Sequence, residues 1–152
     1  MILSVNGSSR VQTAHRLAIS PWKPTILVAE DSADSREMMQ VMLETKGYQV
    51  LPAENGIRAL EVAIRNQPDA VLLDLELPKL DGLAVTRNLR LHPKFRLVPI
   101  IIISGHDPSR YRQAALDAGC DDYLLKPISF ASLDELLDRF VPRQSGRKLK
   151  SA

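Results

Sequence analysis

The sequence has a single cysteine, Cys120, which excludes an internal disulfide framework and suits a reducing compartment. It also has no long apolar run. Its aliphatic stretches hold a handful of residues, against the ~20 that a membrane-spanning helix needs. The opening segment, "MILSVNGSSRVQTAHRL", lacks the apolar middle of a secretion signal. Internal repeats and low-complexity tracts are missing too. His15, His92 and His106 show no ligand spacing, which argues against a zinc site. These absences leave a soluble cytoplasmic globular protein as the expected class, in keeping with 45% hydrophobic and 25% charged residues.

Acid is lacking at both ends. Residues 1–24 carry Arg10, Arg16 and Lys23, and residues 142–152 carry Arg143, Arg147, Lys148 and Lys150, with no Asp or Glu in either. Of 20 Lys and Arg, 13 then remain against 18 acids, so residues 25–141 carry −5 although the whole chain carries +2. The expected organisation is a folded domain over 25–141 between two flexible basic tails, 1–24 and 142–152.

What is present between 25 and 141 is an alternation of two patterns. "TILVAE" (25–30), "YQVLPA" (48–53), "DAVLLD" (69–74), "VPIIIIS" (98–104) and "DYLLK" (122–126) are short runs rich in Val, Ile and Leu. Such runs suit strands covered on both faces. Between them lie segments with helical spacing. Ser32 precedes Met38, Met39, Met42 and Leu43, with Gly47 as the stop, and the methionines are expected in the core. Ile57, Leu60 and Ile64 follow Asn55-Gly56, and Leu83, Val85 and Leu89 follow Gly82. Asp107-Pro108 opens a helix that Gly119 ends, and Ser129 precedes Phe130, Leu133, Leu136, Leu137 and Phe140. Five βα units predict a doubly wound parallel sheet of flavodoxin-like order, 2-1-3-4-5, with helices on both faces.

In such sheets ligands sit beyond the carboxyl ends of the strands. The first strand ends in Glu30-Asp31, the third in Asp74, the fourth in Ser104 and the fifth in Lys126-Pro127. Crowded carboxylates repel, so a proton or a cation must relieve them. Hard oxygen ligands with open positions suit Mg2+. With Mg2+ on Asp31 and Asp74, the outer oxygen of Asp74 is free to attack a phosphoryl group and become an acyl phosphate. Lys126 and the metal would stabilise charge on the phosphoryl oxygens, and Ser104 would donate a hydrogen bond to one of them.

On these residues the chain resembles a response-regulator receiver domain, the phospho-accepting half of two-component signalling, and in particular the stand-alone regulators. The motifs are Glu30-Asp31, Asp74 in "LLDLELPKLDG", Ser104, Tyr123 and Lys126-Pro127, spread over 25–141. The resemblance implies that Asp74 is the phosphorylation site. It implies that Asp31 and Asp74 bind Mg2+ directly, Glu30 through water and Glu76 through its backbone carbonyl. Lys126 would pair with Asp74, and the Lys126–Pro127 bond would be cis. The phosphoryl donor would be a sensor histidine kinase or a histidine phosphotransfer protein. On phosphorylation, Ser104 and Tyr123 would act as a switch that reshapes the surface of the fourth helix, fifth strand and fifth helix for a downstream protein. The domain would catalyse its own phosphorylation and dephosphorylation as a switch rather than act as an enzyme on other substrates.

Departures from the family pattern are Glu30 in place of the more usual Asp, Ser104 where Thr is also frequent, and Gly105 where Ala is commoner. Glu76 and His106 occupy positions that influence acyl-phosphate lifetime in the family. The 11 residues after 141 are too few for a DNA-binding effector, so direct DNA binding is not expected. The alternatives are a receiver fragment of a longer multidomain regulator or hybrid kinase, an aspartyl-nucleophile phosphohydrolase of the haloacid-dehalogenase type, and a receiver-like module that is never phosphorylated. The phosphohydrolase would need a second Asp two residues beyond its nucleophile, where this chain has Glu76.

Overall fold

The computed structural model describes residues 22–141. The expected tails lie outside the described residues, apart from Trp22, Lys23 and Pro24. The chain runs β1 (Thr25–Ala29), α1 (Ala33–Thr45), β2 (Gln49–Ala53), α2 (Gly56–Asn66), β3 (Ala70–Asp74) and α3 (Gly82–Arg90). A 3-10 turn (Pro93–Phe95), β4 (Ile100–Ser104), α4 (Pro108–Ala118), β5 (Asp122–Leu125) and α5 (Phe130–Phe140) follow. All strand pairs are parallel, in the order β2-β1-β3-β4-β5.

The unbroken apolar strands follow from burial on two sides. Leu27, Val71, Leu73, Ile100 and Ile102 point into one core, and Ile26, Val28, Leu72, Ile101 and Ile103 into the other. Period-two alternation thus splits each run between two layers without a polar face. The first core is closed by Val62, Val85, Leu89 and Ala115 from α2, α3 and α4, and the second by Met39, Leu43, Leu133 and Leu137 from α1 and α5. Burying one such aliphatic side chain contributes about 1.5–3 kcal/mol.

Each helix begins on a side-chain cap. Ser32, Asn55, Asp81, Asp107 and Ser129 accept the N–H of Ser35, Arg58, Ala84, Ser109 and Ser132 respectively. A cap of this kind is worth about 1 kcal/mol. The start of β4 and one position within α1 differ from the sequence expectation. The strand expected from Val98 begins at Ile100, because Pro99 has no N–H for the ladder. Met39 and Met42 are buried as expected, but Met38 is 49% exposed, one position off the inward stripe.

Candidate functional site

Strand register brings the polar residues together. Ala29 pairs with Leu73, so the next residues, Glu30 and Asp74, leave the sheet side by side. Asp74 pairs with Ile103, next to Ser104, and Ser104 pairs with Leu125, next to Lys126. Parallel pairing therefore delivers all these residues to one edge, at the point where strand order reverses.

Lys126 is the centre of the cluster. Its Nζ donates to Asp74 Oδ2 and to Glu30 Oε2, at 2.8 Å each. The lysine side chain is 30% exposed, Glu30 5% and Asp74 11%, so both pairs are partly shielded from water. Asp31 is exposed, and one oxygen each of Glu30, Asp31 and Asp74 fall within 4.8 Å of one another. Three carboxylates against one ammonium leave a local charge of −2, which a divalent cation would cancel. The donor set, all oxygen and open to solvent on the Asp31 side, fits Mg2+. Burial raises the Glu30 pKa, the neighbouring Asp74 carboxyl raises it further, and Lys126 opposes both. Burial alone would lower Lys126, but hydrogen bonds to Asp74 and Glu30 prevail and hold it above its ordinary value.

The loop after β3 fixes Asp74. The Glu76 N–H donates to Asp74 Oδ1 at 3.0 Å, and the Gly82 N–H donates to the Leu75 carbonyl at 2.9 Å. Gly82 lies so close to the strand that a Cβ there would stand 2.4 Å from the Asp74 carbonyl oxygen. Gly56 meets the same loop from α2, where a Cβ would come within 1.8 Å of the Leu80 carbonyl oxygen. These two glycines are required by close approach, a role that their place at helix starts in the sequence does not reveal.

Ser104 is 1% exposed, and its Oγ accepts the His106 N–H at 3.0 Å. Tyr123 is 5% exposed and turned inward, its hydroxyl donating to the His106 carbonyl at 2.9 Å. The His106 ring reaches across to the Glu76 carboxylate and packs on Tyr111, with centroids 5.0 Å apart. His106 thus joins the Asp74 loop to both residues of the expected switch. A cleft of about 550 Å³ opens beside the cluster, lined by Asp31, Glu76, Pro78, Asp81, His106 and Tyr111 among others. The Lys126–Pro127 bond is cis.

Two contributors escaped the sequence analysis. Arg36 on α1 donates to the carbonyl oxygen of Glu30 at 2.7 Å and to that of Asp31 at 3.5 Å, tying the acidic turn to its helix. The His106–Glu76 contact is the second. A long basic side chain one turn after an acid pair was the available signal for Arg36, whereas residues 30 apart in sequence gave none for the other.

A five-stranded doubly wound domain with acids and a lysine at its switch edge has receiver architecture. The chain belongs to the response regulator receiver domain family, whose sequence model matches residues 26–138. It is similar to the response regulator MprA of Mycobacterium sp. (strain KMS), 44% identical over 114 residues, which is 75% of this chain and 47% of the relative. The Mycobacterium leprae MprA is 43% identical over 114 residues, covering 75% of this chain and 48% of that protein. The chain thus spans about half the length of these curated relatives. Among solved structures, it is similar to the receiver domain of a Pseudomonas aeruginosa sensor histidine kinase, with a magnesium ion coordinated in its active-site cleft. That likeness has 37% identity and a TM-score of 0.73, covering 78% of this chain and 98% of the other. A chemotaxis response regulator of Vibrio cholerae gives 25% identity and a TM-score of 0.75, over 79% of this chain and 100% of that one.

Proposed function

We propose that the domain accepts a phosphoryl group from a phosphohistidine onto Asp74, with Mg2+, and so changes the surface it offers to a protein partner. The observation that carries this is Lys126 bridging Asp74 and Glu30 at 2.8 Å each, beside Asp31. A carboxylate nucleophile needs no general base. An oxygen of Asp74 attacks phosphorus, the bond from phosphorus to the donor nitrogen breaks, and that nitrogen keeps the electron pair. Lys126 accompanies the negative charge through the transfer. Asp31 and Asp74 would hold the metal directly, Glu30 through water and Glu76 through its carbonyl; bound there, Mg2+ supplies neutralising charge for the phosphoryl oxygens. The Ser104 hydroxyl would reach the new phosphoryl group by releasing the His106 N–H. That release would loosen the hold of His106 on Tyr123, and the change would pass to α4, β5 and α5.

The donor would be a sensor kinase or a histidine phosphotransfer protein. Curated relatives about twice as long favour a second reading of the same site, as the input domain of a larger regulator. The test is intact-mass analysis after acetyl phosphate and Mg2+. One phosphate adduct on the wild type and none on Asp74→Asn is expected; an equal adduct on both would remove Asp74 from its role.

A further inference from the structure

We propose that the edge of the domain opposite Asp74 is a docking surface for an anionic lipid bilayer. Residues 82–106 contain no acid and carry Arg87, Arg90, Lys94 and Arg96, a basic island in a body of charge −5. Arg90 is the scaffold of this island. Its guanidinium donates to the carbonyls of Val98 at 2.9 Å, Gly119 at 2.8 Å and Phe95, and pairs with Asp121 at 2.9 Å. Phe95, 2% exposed, plugs the centre of the loop. With these groups tied inward, Leu91 and Leu97 stand out at 81% and 90% exposure, among the exposed Arg87, Lys94 and Arg96.

A single exposed leucine means little. Here two nearly bare leucines share one rigid cationic loop, and Ile64, 46% exposed, and Arg65 end the neighbouring α2 at the same edge. Two acids at this edge are engaged, Asp121 by Arg90 and the Ile100 N–H, and Asp69 by the Thr25 N–H. In a parallel α/β domain the helix C-termini and strand N-termini share one edge. Lys23, exposed and just before β1, therefore lies on this side. Separate aliphatic tips ringed by Lys and Arg suit the headgroup and acyl boundary of an anionic membrane, where apolar insertion and charge attraction act together. A nucleic acid would gain nothing from the leucines, whereas a bilayer gains from both the leucines and the cations.

The surface is independent of the Asp74 chemistry, so the two stand or fall separately. The test is co-sedimentation of the full chain with phosphatidylglycerol-containing or pure phosphatidylcholine vesicles. Binding to the anionic vesicles alone, weakening as salt rises, is expected. Leu91→Ser/Leu97→Ser and Lys94→Gln/Arg96→Gln should each weaken it by ~10-fold or more, given the gain per buried methylene and the attraction per surface cation at such membranes. Circular dichroism checks that each variant is folded. No vesicle binding would overturn the proposal, as would binding unchanged in the leucine variant but lost when Arg143, Arg147, Lys148 and Lys150 become Gln. Loss of duplex DNA or polyglutamate binding in these variants, with vesicle binding intact, would also overturn it.

Discussion

Replacing Asp31 by Asn is expected to move stability and metal binding in opposite directions. Asp31 is exposed, and its oxygen lies within 4.8 Å of oxygens of Glu30 and Asp74. Two like charges at that separation repel by about 0.9 kcal/mol at a water-like dielectric of ~80. Two such neighbours give about 1.7 kcal/mol, and one ammonium taken at a similar separation offsets roughly half of it. Asp31→Asn should therefore raise metal-free stability by about 0.5–1 kcal/mol, a few degrees in Tm. The same change removes a proposed direct ligand, so added Mg2+ should stabilise the wild type by mass action and leave the variant almost unmoved. Urea unfolding with and without Mg2+ measures both effects. A variant less stable than wild type without metal, or one stabilised by Mg2+ as strongly as wild type, would refute the reasoning.

Gly82→Ala should cost about 1–3 kcal/mol in urea unfolding and slow phosphorylation by acetyl phosphate, because the new Cβ would displace the Asp74 carbonyl. Arg90→Ala should cost about 2–4 kcal/mol by the same assay, since it leaves Asp121 and several carbonyls without their donor. The pH dependence follows from Glu30, whose pKa in the fold is raised above its ordinary 4.5. Between those two values the folded chain binds more protons than the unfolded one. Metal-free stability should then fall as pH climbs through that window, while Mg2+ affinity, followed by calorimetric titration, should rise as Glu30 loses its proton.

Much of this architecture was legible because it is written in short-range pattern. Runs such as "IIII" at 100–103 and "AVLL" at 70–73 tell of two-sided burial, and Ser32, Asn55, Asp107 and Ser129 mark helix starts through their own side chains. The cluster was legible for the same reason: a strand's last residue is fixed once the strand is found, and parallel topology carries the ends to one edge. Contacts between distant loops were not. Nothing near Arg90 in sequence announces Asp121, and nothing near Glu76 announces His106. The close passage of Gly82 against Asp74 depends on the path of the β3–α3 loop, which pattern alone does not fix. Met38 shows the limit in a helix, where three methionines at near-helical spacing include one that faces out.

Borohydride trapping followed by peptide mapping tests the central chemistry most directly, since it reduces an aspartyl phosphate to homoserine and so marks the residue that carried it. After exposure to a phosphodonor with Mg2+, homoserine is predicted at position 74 alone, and none when the metal is chelated. Homoserine at another aspartate, or an equal yield at 74 without Mg2+, would contradict the account.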